Sequence, residues 1–184
     1  MISDKAEKSV IQEIRKAESS EFEKVRSFYH ALIDGIKGND AHVKWQKDVY
    51  PSPGYLRSSI EQGTLYIGIA DDEIISCMTV NHECNEAYEK CQWPTEASKD
   101  EVTVIHALGV SPAYFRKGCA AEMVAYAIEL SRKTGQKCMR LDVLCGNTPA
   151  EKLYEGFGFI KIQTLPMYYE DTGLTEFELY ELEL

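Results

Sequence analysis

Residues 104–123 read VIHALGVSPAYFRKGCAAEM. An apolar run stops at a Ser-Pro turn, two cations stand before a glycine, and an alanine-rich stretch follows. The β-forming residues of VTVIHALGV predict a strand over 102–110, closed by Ser111-Pro112. Residues 117–134 predict a helix, with Ala120, Met123, Val124, Ala127 and Ile128 on one face and Gly135 after its end. Strand, glycine turn and helix therefore meet at Arg116-Lys117-Gly118. The first turn of a helix has free N–H groups and the positive end of the dipole, so such a junction can bind a phosphate. Gly118 and Ala120 let an anion approach the backbone, and Arg116 and Lys117 can add charge at the rim. The same junction can also be a plain connection. A dinucleotide-binding fold is excluded, because it needs G-x-G-x-x-G after the first strand, whereas only one of those glycines is present and the unit lies mid-chain.

Working outward, residues 10–15 (VIQEIR) predict a short strand. Ser19 and Ser20, with Glu23 following, predict the start of a helix that runs to about Ile36. Phe22, Val25, Phe28, Tyr29, Leu32 and Ile33 recur at helical spacing, and Gly35 and Gly38 mark the end. A Pro51-Pro53-Gly54 turn leads into a short helix stopped by Gly63. Residues 64–70 and 73–82 predict a hairpin turning at Asp71-Asp72. Residues 83–100 are polar and too long for a tight turn, and long loops in compact domains are often functional. Beyond the central helix come a strand at 137–145, a short helix at 148–156, and strands at 159–169 and 175–184 joined at 171–173. The order β-α-α-β-β-β-α-β-α-β-β is mixed α/β, without an internal repeat.

The 184 residues suit one domain, 1–184, with its elements from about residue 10 onward. With 44% apolar and 27% charged residues the composition is that of an ordinary globular protein. No apolar stretch approaches the roughly 20 residues that span a bilayer, and the charged N-terminus does not read as a signal peptide. The six cysteines form no C-x-x-C pair, and no Cys/His cluster has zinc-ligand spacing, so the expectation is reduced thiols in a cytoplasm and no metal. A formal charge of -10 argues against nucleic acid as a partner. It would attract a cationic substrate such as an amine, or serve only solubility.

Three ordered motifs carry a family resemblance. The first is the apolar strand ending Val110-Ser111-Pro112. The second is Phe115-Arg116-Lys117-Gly118-Cys119-Ala120, where the family commonly shows Q/R-x-x-G-x-G/A. The third is Asn147-x-x-Ala150-x-x-Leu153-Tyr154-x-x-x-Gly158-Phe159. Together, over 102–160, they resemble the core of the GNAT superfamily of acyl-CoA-dependent N-acyltransferases. The chain departs from the pattern at Phe115, which stands where the family has Gln or Arg. Since the pyrophosphate contacts come mostly from backbone N–H groups, only a side-chain contribution is in doubt.

The resemblance implies a GNAT-like, mostly antiparallel sheet flanked by helices, with two central strands splayed around acetyl-CoA. It implies a pantetheine arm along the backbone of Leu108, Gly109 and Val110, and a pyrophosphate on the turn from Phe115 through Arg116, Lys117, Gly118, Cys119 and Ala120 to Ala121. Asn147 would hold the pantetheine or simply cap the following helix. Tyr154 falls where the family often has a general acid, for a thiol whose pKa is about 8.5; otherwise it packs in the core. Cys119, inside the phosphate turn, is not a nucleophile. His106 is the candidate base, with a ring pKa near 6.5 that suits the task. Strand alternation puts it with Val104, Leu108 and Val110, which equally suits a core histidine. Glu101 and Glu83 are alternatives. Trp45, Tyr50, Tyr55, Asn81, His82, Tyr88 and Trp93 would wall an acceptor site or simply pack. The implied activity is direct acetyl transfer from acetyl-CoA to an amine of a small molecule or peptide, in a chain with room for a homodimer. The rival is a non-catalytic acyl-CoA-binding or regulatory module of the same fold.

Overall fold

The computed structural model describes residues 9–37 and 44–184. Seven strands form one sheet: β1 (Glu13–Lys16), β2 (Leu65–Ala70), β3 (Glu73–Asn81), β4 (Val102–Val110), β5 (Cys138–Leu144), β6 (Ile160–Tyr169) and β7 (Gly173–Glu183). Four α-helices flank it: α1 (Phe22–Ile36), α2 (Pro53–Glu61), α3 (Cys119–Lys133) and α4 (Thr148–Gly156). The strand order is β1-β2-β3-β4-β5-β7-β6. Every neighbouring pair is antiparallel except β4–β5, which is parallel.

The side chains sort the core into three regions. Ile105, Met139, Leu141 and Val143 meet Met123, Val124 and Ala127 of α3 on one face. Phe28, Tyr29 and Leu32 of α1 cover Leu65, Ile67 and Cys77 on the other. Below these, Val102, Val104 and Cys138 pack with Tyr88 and Cys91 of the long loop. That loop is ordered by a buried ion pair. Arg140 Nε meets Glu181 at 2.8 Å, its Nη2 donates to the Thr95 carbonyl, and its guanidinium lies 4.4 Å from the Trp93 ring centre.

Local chemistry moves two predicted boundaries. Helix α1 is preceded by a 3-10 turn at Ser19–Glu21, where Glu21 reaches back to the Glu18 amide at 2.9 Å and pairs with Arg15. The start is therefore set by this acidic residue rather than by Ser19 or Ser20. Gly35 lies within α1, not past its end, and a Cβ there would come within 2.2 Å of Pro112. The helix needs that glycine to pack against the end of β4. Gly38 lies outside the described residues.

The third difference bears on the site. Thr79 pairs with His106 but Cys77 pairs with Gly109, so β4 carries one extra residue. This is a β-bulge, with Ala107 at a φ of 50°. It breaks the alternation: Ile105, Leu108 and Val110 face α3, while Ala107 joins the α1 core. His106 thus shares a face with Val104 but not with Leu108 or Val110. A buried tyrosine secures the bulge, for Tyr29 donates its hydroxyl to the Ala107 carbonyl at 2.7 Å. Tyr29→Phe is expected to cost about 1–3 kcal/mol, because a buried carbonyl loses its donor. Urea unfolding measures this; an unchanged midpoint would show that the bulge stands without Tyr29.

Candidate active site

Strands β4 and β5 pair only from Val102–Val104 to Cys138–Arg140. Past that point β4 continues along β3 and β5 along β7, so the two central strands diverge. The gap is the floor of a cleft of about 780 Å³. Leu108, Gly109 and Val110 line one side, Asp142, Val143 and Leu144 the other.

At the mouth stands the start of α3. Gly118 is its N-cap, with a φ of 83° that an L-residue adopts only with strain. The first cap bond runs from Glu122 N–H to the Gly118 carbonyl, and the amides at 118–121 find no acceptor among the described residues. These free donors, at the positive end of a 15-residue helix, suit a phosphate group. Phe115, Arg116, Gly118, Cys119, Ala120 and Ala121 line the cleft. Lys117 does not; its ammonium sits 4.8 Å from the Tyr114 ring centre. Of the two cations, Arg116 is the one that borders the cleft.

Asn147 caps α4, its side-chain oxygen accepting from Ala150 N–H at 3.4 Å, and it also lines the cleft. Tyr154 is buried, with its ring edge-on to Phe159 at 5.5 Å, and borders the same space. Its hydroxyl has no hydrogen-bond partner among the described residues. Burial, and then the charge of Asp142, hold its pKa well above the usual phenol value. Tyr154 stays protonated at any working pH.

His106 meets two acceptors at Nε2, the Asn81 side-chain oxygen and the Glu83 carbonyl, each at 3.0 Å. The Asn81 oxygen is identified by its bond from Glu83 N–H. Since both partners accept, Nε2 carries the proton and Nδ1 keeps its lone pair. Burial lowers the ring's pKa to about 4, against the opposing effect of the Glu83 carbonyl. The ring is therefore neutral near pH 7. Of the alternatives, Glu101 is bound to the Ser98 backbone and to Lys137, which lowers its pKa to about 2, and it lies outside the cleft. Glu83 contributes its backbone.

Trp45 and Tyr50 line the cleft, with Tyr55 behind Tyr50. Tyr88 and Trp93 pack in the loop beneath, and His82 donates Nδ1–H to the Val102 carbonyl. Sequence reasoning missed Asp142, Tyr169 and Asp171, which all line the cleft. A signal for Asp142 was present: in CMRLDVL, Arg140 and Asp142 alternate with Met139, Leu141 and Val143, so one face of a central strand is charged. A charge so placed in a buried strand needs a partner or a purpose.

The fold and site define a class. The family model for the acetyltransferase (GNAT) family matches residues 18–159, and the chain belongs to that family. It is an acyltransferase by that membership. A curated relative, an uncharacterized N-acetyltransferase of Methanocaldococcus jannaschii, is 32% identical over 69 residues, which is 38% of this chain. The match spans only 30% of that relative's length. Among solved structures, a GNAT-family acetyltransferase of Streptococcus agalactiae superposes with a TM-score of 0.78 at 18% identity, over 95% of this chain and 97% of its own. A protein from Salmonella typhimurium, solved with its cofactor acetyl-CoA, gives a TM-score of 0.64 at 14% identity, over 94% and 93%. At such identities the two structures speak for the fold alone.

Proposed function

We propose that this protein transfers an acetyl group from acetyl-CoA directly to the amine of a small molecule or peptide. The observation that carries the reading is the cleft itself: the split of β4 from β5 runs from the free amides at 118–121 to Tyr154 and His106. The β5-facing backbone of Leu108–Val110, which has no strand partner past the split, receives the pantetheine arm. The amides of the turn and Arg116 hold the pyrophosphate. His106 Nδ1 takes the proton from the attacking amine. Tyr154 presents its O–H to the sulfur on which charge builds as the thioester C–S bond breaks. A phenol held this high parts with its proton reluctantly, so its main contribution is a hydrogen bond to the departing thiolate. The six thiols are all free, which suits a reducing cytoplasm. A non-catalytic acyl-CoA-binding module has no use for an unpartnered phenol and a neutral imidazole on one cleft.

Release of free thiol from acetyl-CoA in a panel of amines tests the activity. His106→Ala is expected to lower turnover while acetyl-CoA affinity stays near wild type. The pH profile adds a sign. The neutral ring is the working form, and burial lowers its pKa, so the acid limb that belongs to His106 falls at about pH 4. An acid limb near the ordinary histidine value, or none that His106→Ala alters, would take the base role from His106.

A further inference from the structure

Asp142 is a carboxylate without a counter-ion among the described residues. The hydroxyls of Tyr88 and Tyr169 both donate to its Oδ2, at 2.9 Å each. Among the described residues its Oδ1 has no partner and no cation pairs with it. The nearest cation along β5, Arg140, is committed to Glu181 and Trp93. Burial raises the Asp142 pKa even against the two phenols. Charges drawn out of water are ordinarily paired; Asp142 is half-buried, and the side left open is the cleft.

Its position has a use. Val104 and Arg140 are the last paired residues of the parallel strands. His106 and Asp142 each lie two residues further on the same face, so they flank the start of the split. Asp142 therefore stands where the amine must meet the acyl group.

A second carboxylate lines the same end. Asp171 lies at the β6–β7 turn, two residues after Tyr169, whose hydroxyl touches Asp142. Among the described residues it too has no ion-pair partner. Between them runs a chain of rings: Trp45 to Tyr50 at 5.6 Å, Tyr50 to Tyr169 at 6.4 Å, and Tyr169 to Phe177 at 5.1 Å. Ring faces attract cations, and more strongly where water is excluded. The Asp171 carbonyl also accepts from Gln46 at 3.1 Å, which ties the ring-bearing segment to the turn.

We infer that the acceptor is a small diamine: one ammonium on Asp142 beside the reaction centre, the second on Asp171, and the carbon chain along the Tyr50 and Tyr169 rings. This rests on the acyl-transfer reading above. The ammonium held by Asp142 first gives one proton to solvent; the neutral nitrogen then bonds to the acetyl carbon as the C–S bond breaks, and the proton it sheds on becoming an amide passes to His106 Nδ1. The other stays charged and only binds. An acceptor with a carboxylate at its far end is repelled by Asp171.

The test compares α,ω-diaminoalkanes of graded length with monoaminoalkanes and ω-amino acids of equal length. In wild type, kcat/KM for the best diamine should exceed that of its monoamine by about tenfold or more, the worth of one partly buried charge pair. The ω-amino acid should fall below the monoamine. Asp171→Asn should bring the diamine-to-monoamine ratio close to one, and Asp142→Asn should depress both substrates. Calorimetric binding of the diamine to the CoA-loaded protein gives a readout without turnover. Diamine binding that Asp171→Asn weakens about tenfold supports the inference even where no thiol is released; only the acyl-transfer reading then falls. Equal kcat/KM for diamine and monoamine in wild type, or equal losses for both in Asp171→Asn, would overturn it.

Discussion

Tyr154→Phe slows acetyl transfer by about 10²–10⁴-fold, the span for losing a proton or hydrogen-bond donor to a charge that develops in the transition state. The ring and its edge contact with Phe159 remain, so the core at α4 is kept. The hydroxyl has no partner among the described residues, so its loss strands no other polar group. Acetyl-CoA affinity should change by less than about tenfold, since at most one hydrogen bond is at stake. Thioesters with more acidic leaving thiols should narrow the gap, because their thiolates depart with less help. Single-turnover kinetics isolates the chemical step. A wild-type rate for that step in Tyr154→Phe would make the tyrosine structural, with solvent acting on the thiolate unaided.

Gly118→Glu abolishes acetyl-CoA binding. In wild type, acetyl-CoA at about 100 times its Kd should stabilise the fold by roughly 2.7 kcal/mol, read as a rise in Tm. The variant places a carboxylate at the free amides of 118–121, the proposed pyrophosphate site. A Cβ at this position meets no neighbour within 4 Å, so the added carbon itself clashes with nothing. The backbone is the remaining cost: at a φ of 83° a side chain brings strain. That cost is about 1–2 kcal/mol. Gly118→Ala carries the same strain without the charge and should keep most of the ligand-induced rise. A full rise in Gly118→Glu would move the cofactor site elsewhere.

The parts of this protein legible in sequence are those set by neighbours along the chain. β4 and α4 lie at the predicted 102–110 and 148–156. Alternation, proline and a capping asparagine act within a few residues, so they are visible there. The start of α3 moved two residues, to Cys119, because Gly118 takes a left-handed backbone and serves as cap. The GNAT motifs were legible for the same reason, being a turn and two helix starts. His106 was misplaced relative to Leu108 and Val110 because alternation assumes an even ladder. The bulge at Ala107 depends on pairing with β3 and on the hydroxyl of Tyr29, 78 residues away.

The end of the cleft around Asp142 was the least legible. Asp142, Tyr88 and Tyr169 come from β5, the long loop and β6, and nothing local in any of them announces a shared hydrogen bond. Lys117 shows the same limit at the other end. Its place in the motif suggests a phosphate contact, whereas its lie against the Tyr114 ring depends on how the turn folds back. From the sequence alone came the order of elements, the glycine turn between β4 and α3, and the family resemblance. Only the tertiary structure decided where the central strands part, which face His106 takes, and that an unpaired carboxylate waits beside it. Helices, caps and turns obey short-range rules, whereas a cleft forms where distant strands stop pairing, and the charge it exposes is set by which chains of contact failed to cover it.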